Sequence, residues 1–156
     1  MFRSDEAQRI RQQPIQPILE RTLALVKPHA QEHGVAIHVP DGSHLLAMVD
    51  SDYLLQALMN LLLNAIDASG DKGRVDVSLD NRNSHVEIAV EDSGQGLTMD
   101  QRKRIFEAFY TTKPGGIGLG LAVTKTLLEK MGGSIESQNG SRGALFRVVL
   151  PDGQPA

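Results

Sequence analysis

The run from Leu54 to Ile66 is apolar at nearly every position, and three amides, Gln56, Asn60 and Asn64, interrupt it. It is shorter than the roughly 18 apolar residues that a membrane span needs. Leu54, Leu55, Leu58, Leu62, Ala65 and Ile66 recur at helical spacing and define one core face. Asp50, Ser51 and Asp52 offer caps, so the spacing predicts a helix from 52 to about 69. Gln56, Asn60, Asn64 and Asp67 fall within about an 80° stripe of that helix. Asparagine is a poor helix former, and two of them four residues apart inside an apolar helix are a local cost. Such costs gather at functional sites. A carboxamide oxygen is a hard neutral ligand of the kind Mg2+ accepts. A partly wet helix edge, with each amide bonded to nearby backbone, explains the same stripe equally well.

The elements around this helix set the fold class. Gln16 to Gly34 reads as a helix with apolar Ile18, Leu19, Leu23, Leu25, Val26 and Ala30, which Pro28 should kink or split. "VAIHV" (35–39) and "LLAMV" (45–49) read as two strands around the turn "PDGS". "RVDVSLD" (74–80) and "HVEIAVE" (85–91) alternate strictly and form a hairpin across "NRNS". A long loop spans 94–116 and holds a short helical piece, "MDQRKRIFEAF". A helix over 117–131 and two closing strands around "NGSRG" complete the chain. Strands and helices do not alternate as βαβ units. The order predicts an α+β, two-layer sandwich: three helices on one face of a mixed, mostly antiparallel sheet of about five strands. Residues 1–15 read as the remnant of an upstream helix or a linker, 16–151 as the domain and 152–156 as a tail.

Bulk properties exclude several function classes. A chain of 156 residues with 40% hydrophobic content is large enough for one domain with a real core. Its net charge of −3 gives no basic field for nucleic acid. It has no cysteine, so it forms neither disulfides nor thiolate metal sites. "MFRSDEAQRIRQQ" carries no signal-peptide pattern, and the expectation is a cytoplasmic domain without membrane contact.

Two glycine-containing stretches carry further chemistry. In "EDSGQGL" (91–97), Asp92 ends a strand, and Gly94 and Gly96 let the backbone turn and leave room for a flat ring. A carboxylate only accepts hydrogen bonds, so it can select an exocyclic amino donor such as that of adenine. By itself the stretch reads better as an ordinary Asp-Ser-Gly turn, with Asp92 as turn former. The second stretch, "TTKPGGIGLG" (111–120), opens a helix. It lacks the G-x-x-x-x-G-K-[ST] of a P-loop, and Leu121 breaks the dinucleotide spacing that starts at Gly116. What remains is a glycine-rich helix N-terminus suited to an anion, with Lys113 as a nearby charge. A hinge for a mobile loop fits it as well.

Taken together, these signals are far more specific. "LLQALMNLLLNAIDAS", "EDSGQGL", "RIFEAFYTTK" and "GGIGLGLAVTKTLLEKMGGSIES" resemble, in order and spacing, the N box, first glycine box, F box and second glycine box of the sensor histidine kinase catalytic domain. "GSRGALFRVVLP" is similar to the closing strand with the third glycine box. The resemblance, to the GHKL superfamily with its Bergerat fold and ATP lid, covers residues 16–151. The Phe-Tyr-Thr-Thr-Lys loop looks like that of nitrogen-regulator-type kinases. It implies ATP and Mg2+ as ligands and phosphoryl transfer as the reaction. By that resemblance Asn60, Asn64 and Lys113 serve the reaction, and Asn64 is the Mg2+ ligand. Asp92 reads the adenine amino group, and Gly94 and Gly96 shape the base pocket. Asp67, Lys113, Gly116, Gly118, Leu119, Gly120 and Ala144 complete the nucleotide site, with Phe106 and Phe109 as lid anchors. The chain departs from the family at Ile117 and Ala144, where threonine is frequent, so position 144 offers no hydroxyl for a water at the base edge.

The same resemblance bears on the acceptor. Relatives that hydrolyse ATP carry Glu where this chain has Asn60, and a neutral amide cannot act as a general base on water. Kinase histidines are followed by Glu or Asp. His29, His33, His38, His44 and His85 are followed by Ala, Gly, Val, Leu and Val, so they read as surface or strand-edge residues. The acceptor is then expected on a separate dimerisation domain, with a response regulator further downstream. The domain itself is expected to be monomeric. A nucleotide-binding interaction module without transfer activity is the alternative.

Overall fold

The computed structural model describes residues 9–42, 44–111 and 120–154. Eleven elements are described: β1 (Arg11–Pro14), α1 (Gln16–His33), β2 (Ala36–His38), β3 (Leu46–Val49), α2 (Ser51–Ser69), β4 (Arg74–Arg82), β5 (His85–Glu91), α3 (Met99–Arg104), α4 (Gly120–Lys130), β6 (Ser134–Asn139) and β7 (Ala144–Pro151). The main sheet has five strands in the order β2-β4-β5-β7-β6. Only β2–β4 is parallel; the other three pairings are antiparallel. This is the mixed, mostly antiparallel sheet that the strand pattern predicts.

Alternation along the strands decides which face is covered. Val75 and Val77 of β4, Val86, Ile88 and Val90 of β5, and Phe146, Val148 and Leu150 of β7 are buried on one face. α2 lies against them and is flanked by α1 and α4. Its buried positions are Leu54, Ala57, Leu58, Leu61, Leu62, Ala65 and Ile66. That face is wider than the predicted one: it adds Ala57 and Leu61, and Leu55 is only half-buried. A central helix touched by a sheet below and a helix on each side needs apolar residues around most of its girth. Asp50 caps it, with Oδ1 accepting from the Asp52 and Tyr53 amides at 2.9 and 3.2 Å. The other carboxylate oxygen of this buried residue faces the Arg9 guanidinium at 3.3 Å.

Several local expectations are corrected. α1 runs unbroken through Pro28. Pro28 and Ala24 are both exposed, so water can serve the carbonyl that proline leaves without a partner. The segments 35–39 and 45–49 do not pair with each other. β2 joins the edge of the main sheet, whereas β3 pairs with β1 in a separate two-stranded sheet. Arg11–Pro14 is therefore a strand, although the sequence before residue 16 reads as the remnant of a helix or a linker. Its register sets Arg11 opposite Val49 and Pro14 opposite Leu46. The hairpin of β4 and β5 is tighter than expected. Arg82 pairs with His85, and Asn83 and Ser84 form a two-residue turn with φ of 54° and 65°. The segment 152–154 also packs: Asp152 is buried and accepts from the Asn81 side chain at 3.2 Å.

Candidate nucleotide site

The end of β5, the C-terminal half of α2, α3 and the start of β7 surround a cavity of about 540 Å³. That size is in the range of small-molecule sites. Asn64, Asp67 and Ala68 come from α2, Asp92, Gln95, Gly96 and Leu97 from the loop after β5, and Ile105 and Phe146 form an apolar wall. Asn64 and Asp67 are one turn apart on α2, so helical spacing alone brings them to one rim.

Asp92 is the most constrained group in the cavity wall. It is 2% exposed, yet it lines the cavity. Its Oδ1 accepts from the amides of Gly94 at 2.8 Å and Ala144 at 3.1 Å. Among the described residues both side-chain hydrogen bonds land on Oδ1, which leaves Oδ2 for the cavity. Burial pushes the Asp92 carboxyl above the usual aspartate range, and the two backbone donors oppose that push.

Glycines make the close approach possible. A Cβ at Gly143 would collide with the Asp92 carboxylate and would sit 2.7 Å from the Asp92 carbonyl and 2.8 Å from the Gly94 nitrogen. A Cβ at Gly94 would run into the Ala68 carbonyl of α2. Gly96 has φ of 78°, a left-handed turn that favours glycine.

Several clamps were not read from the sequence. The Asn139 side chain pairs with the Leu97 backbone in both directions: Oδ1 accepts from the amide at 2.7 Å and Nδ2 donates to the carbonyl at 2.9 Å. It thereby ties the loop after β5 to the end of β6. No local signal marks this, because Asn139-Gly140 reads as an ordinary turn. Asn139→Ala is expected to lower nucleotide affinity about 5- to 20-fold through a looser loop, measured by calorimetric titration, with a small loss of stability. Thr98 and Gln101 form a capping box at α3, a T-x-x-Q pattern that was visible in the sequence. Ser69 of α2 accepts from the Ser93 amide at 3.1 Å and so holds the helix end to the same loop.

The remaining expected residues separate into distinct places. Asn64 is half-buried in the cavity wall, and among the described residues its side chain has no hydrogen-bond partner. Asn60 is not among the described residues that line this cavity. Its Nδ2 donates to the Gly120 carbonyl and to Thr124 Oγ1, both at 3.3 Å, and so joins α2 to the first turn of α4. Asp67 accepts from His29 Nε2 at 2.6 Å. Ala144 is buried beside Asp92. Phe106 packs edge-on against Phe146, with centroids 6.1 Å apart, under the wall of the cavity. Phe109 does not pack: it is 75% exposed, with a left-handed φ of 69°. Among the described residues nothing lies within 4 Å of a Cβ built at Gly120. Lys113, Gly116, Ile117, Gly118 and Leu119 lie outside the described residues.

Comparison with known proteins decides the family. Residues 49–154 match the family model described as histidine kinase-, DNA gyrase B-, and HSP90-like ATPase. The chain belongs to this family. Within it, the domain is the GHKL ATP-binding domain of the sensor histidine kinase type. The sensor histidine kinase ZraS of Escherichia coli (strain K12) is 38% identical over 137 residues, which is 86% of this chain and 29% of the relative. The chain thus spans less than a third of the length of that curated relative. The catalytic domain of histidine kinase ThkA has the same fold, with a TM-score of 0.82 at 24% identity over 92% of this chain and 95% of that one. Full-length ShkA in complex with AMPPNP is 33% identical, with a TM-score of 0.78 over 91% of this chain and 31% of that one. Among the described residues of this GHKL domain, no helix is long and apolar enough to cross a membrane.

Proposed function

We propose that this domain binds Mg-ATP and delivers its γ-phosphate to a histidine on a separate dimerisation and phosphoacceptor domain, within a two-component signalling system of the cytoplasm. The observation that carries the reading is Asp92: a buried carboxylate in the wall of a cavity bounded by Ile105 and Phe146, held by two amides through Oδ1 so that Oδ2 is left for a ligand. That oxygen suits the adenine amino group, and the apolar wall suits the ring. The solved ShkA complex, with AMPPNP, is in keeping with it.

The donor set suits Mg2+ as well. Asn64 presents a neutral carboxamide on the rim, and Mg2+ accepts few protein oxygens beside its waters and phosphates. The ion would neutralise phosphate charge during transfer. Asn64 would hold it, and Asn60 would keep the first turn of α4 in place on the phosphate side. Lys113, Gly116, Gly118, Leu119 and Gly120 would meet the phosphates. No carboxylate stands at position 60 to activate water, which favours transfer to a side chain over hydrolysis. The domain alone would be monomeric, and a response regulator would receive the phosphoryl group from the acceptor histidine.

Mixing the chain with a separately expressed phosphoacceptor hairpin and radiolabelled Mg-ATP tests the reading. Acid-labile label is expected on the hairpin and not on this chain. Asn64→Ala is expected to cut transfer by at least about 100-fold while adenosine binding stays within a few-fold. Binding without transfer to any such hairpin would favour an interaction module instead.

A further inference from the structure

Outside the nucleotide cavity, one cluster of ligating side chains stands out. His29, Glu32 and His33 sit at positions i, i+3 and i+4 near the end of α1, so helical geometry alone puts them on one face. One ligating atom from each lies within 4.8 Å of the others. The two imidazoles meet edge-to-face, with ring centroids 4.7 Å apart. Both are half-buried, and Glu32 is exposed, so the cluster opens to solvent.

The contact with α2 gives this face its chemistry. Asp67 lies 2.6 Å from His29 Nε2. A carboxylate there keeps the proton on Nε2, which leaves Nδ1 with its lone pair. This is how a carboxylate orients an imidazole for a metal: it fixes tautomer and ring angle and raises basicity. Two imidazoles and a carboxylate are a borderline donor set. They suit Zn2+, Ni2+ or Cu2+, whereas Mg2+ and Ca2+ prefer all-oxygen shells. Three protein ligands leave a further coordination position for water.

We infer that His29, Glu32 and His33 form a surface site for a divalent first-row transition metal of the Zn2+ class, with Asp67 orienting His29. The site is separate from the Mg2+ position expected at Asn64, and its existence does not depend on the nucleotide reading. The two sites share Asp67, which lines the nucleotide cavity from the same helix.

Zn2+ titration of the whole chain against a chromophoric chelator, without nucleotide, tests this. One equivalent is expected to bind. His29→Ala and His33→Ala are each expected to weaken binding by at least about 10-fold, and Asp67→Asn by about 10-fold. His85→Ala, at the far hairpin, should leave it unchanged. Co2+ at the same site should give the intense visible bands of low-coordinate cobalt, lost in His33→Ala. All four substitutions are on exposed or half-buried positions, and circular dichroism checks that each folds. Binding equal in the wild type and the His29→Ala, His33→Ala double variant overturns the site. Binding unchanged in Asp67→Asn overturns the orienting role of that carboxylate. Because no nucleotide is present, neither outcome bears on ATP recognition.

Discussion

Replacing Asp92 with Asn is expected to abolish measurable nucleotide binding and, in the same protein, to raise the stability of the ligand-free domain. The two effects have one origin. Asp92 is buried, and its carboxylate is held above the usual aspartate range by desolvation. The ionised form is therefore disfavoured in the folded domain relative to the unfolded chain. Asparagine keeps an oxygen that can accept from the Gly94 and Ala144 amides, so the local hydrogen bonds survive. It removes the buried charge, and a gain of about 1 kcal/mol would raise the Tm by roughly 2–4 °C in a domain of this size. Its amide nitrogen, however, would face the cavity in place of Oδ2. A donor would then meet the adenine amino donor, and two unsatisfied polar groups in a dry site cost at least about 100-fold in affinity. Titration calorimetry and thermal unfolding measure the two effects separately. Unchanged ATP affinity in Asp92→Asn would remove the basis for adenine recognition here.

The pH dependence follows with its sign. A carboxyl whose folded-state pKa is raised holds its proton more tightly in the folded than in the unfolded protein. Its contribution to stability is complete at pH below the unfolded value and is lost as the pH rises through the raised folded value. Nucleotide binding runs the other way, because recognition needs the carboxylate. Affinity should fall as the pH drops through the raised value, in a window above that of an ordinary aspartate. Asp92→Asn should remove that part of the stability profile.

The second large effect is expected at Gly143. Its backbone is not in the left-handed region, so the constraint is space. The added Cβ of Gly143→Ala would meet the Asp92 carboxylate, the Asp92 carbonyl and the Gly94 nitrogen. None of these is the free end of a flexible side chain. Strands β5 and β7 hold them in register, with Glu91 opposite Leu145 and the Asp92 amide bonded to the Ala144 carbonyl at 3.0 Å. The strands must part or the carboxylate must turn. A loss of about 1–3 kcal/mol of stability is expected. A loss of nucleotide binding should exceed what that instability explains, because the Oδ1 bonds break first. Gly120→Ala is a control for stability alone: among the described residues nothing lies within 4 Å of a Cβ there, and stability should change little. Denaturant melts of both variants, and nucleotide titration of Gly143→Ala against the wild type, give the comparison. Wild-type affinity in Gly143→Ala would show that the Gly143 contact does not shape the site.

The order of elements was legible because their hydrophobic periods are strong. β5 alternates without a break from His85 to Glu91, and α2 repeats Leu, Ala and Ile at helical spacing between a capping aspartate and a glycine. β1 was not legible. "RQQP" has no apolar alternation, and it is a strand only because β3 offers a partner edge. A split at Pro28 was a local inference, and α1 runs through it. The site divides in the same way. Asn64, Asp67, Asp92, Gly94, Gly96 and Ala144, singled out in sequence, do line or adjoin one cavity. Asn139 was missed because its partner, Leu97, is far away in sequence.

By itself the sequence determined the residue types that chemistry requires: neutral amides one turn apart on an apolar helix, an acceptor-only carboxylate after a strand, and glycines beside it. These follow from side-chain chemistry and from local periodicity, which depend only on neighbours along the chain. Only the tertiary structure decided which of them share a space. It set Gly143 against Asp92, brought Asp67 of α2 to His29 of α1, bonded Asn60 to Gly120 and Thr124 of α4, and left Phe109 in solvent while Phe106 packed. Those outcomes depend on strand register and helix packing across the core, where residues dozens of positions apart compete for the same volume, and no local pattern records the winner.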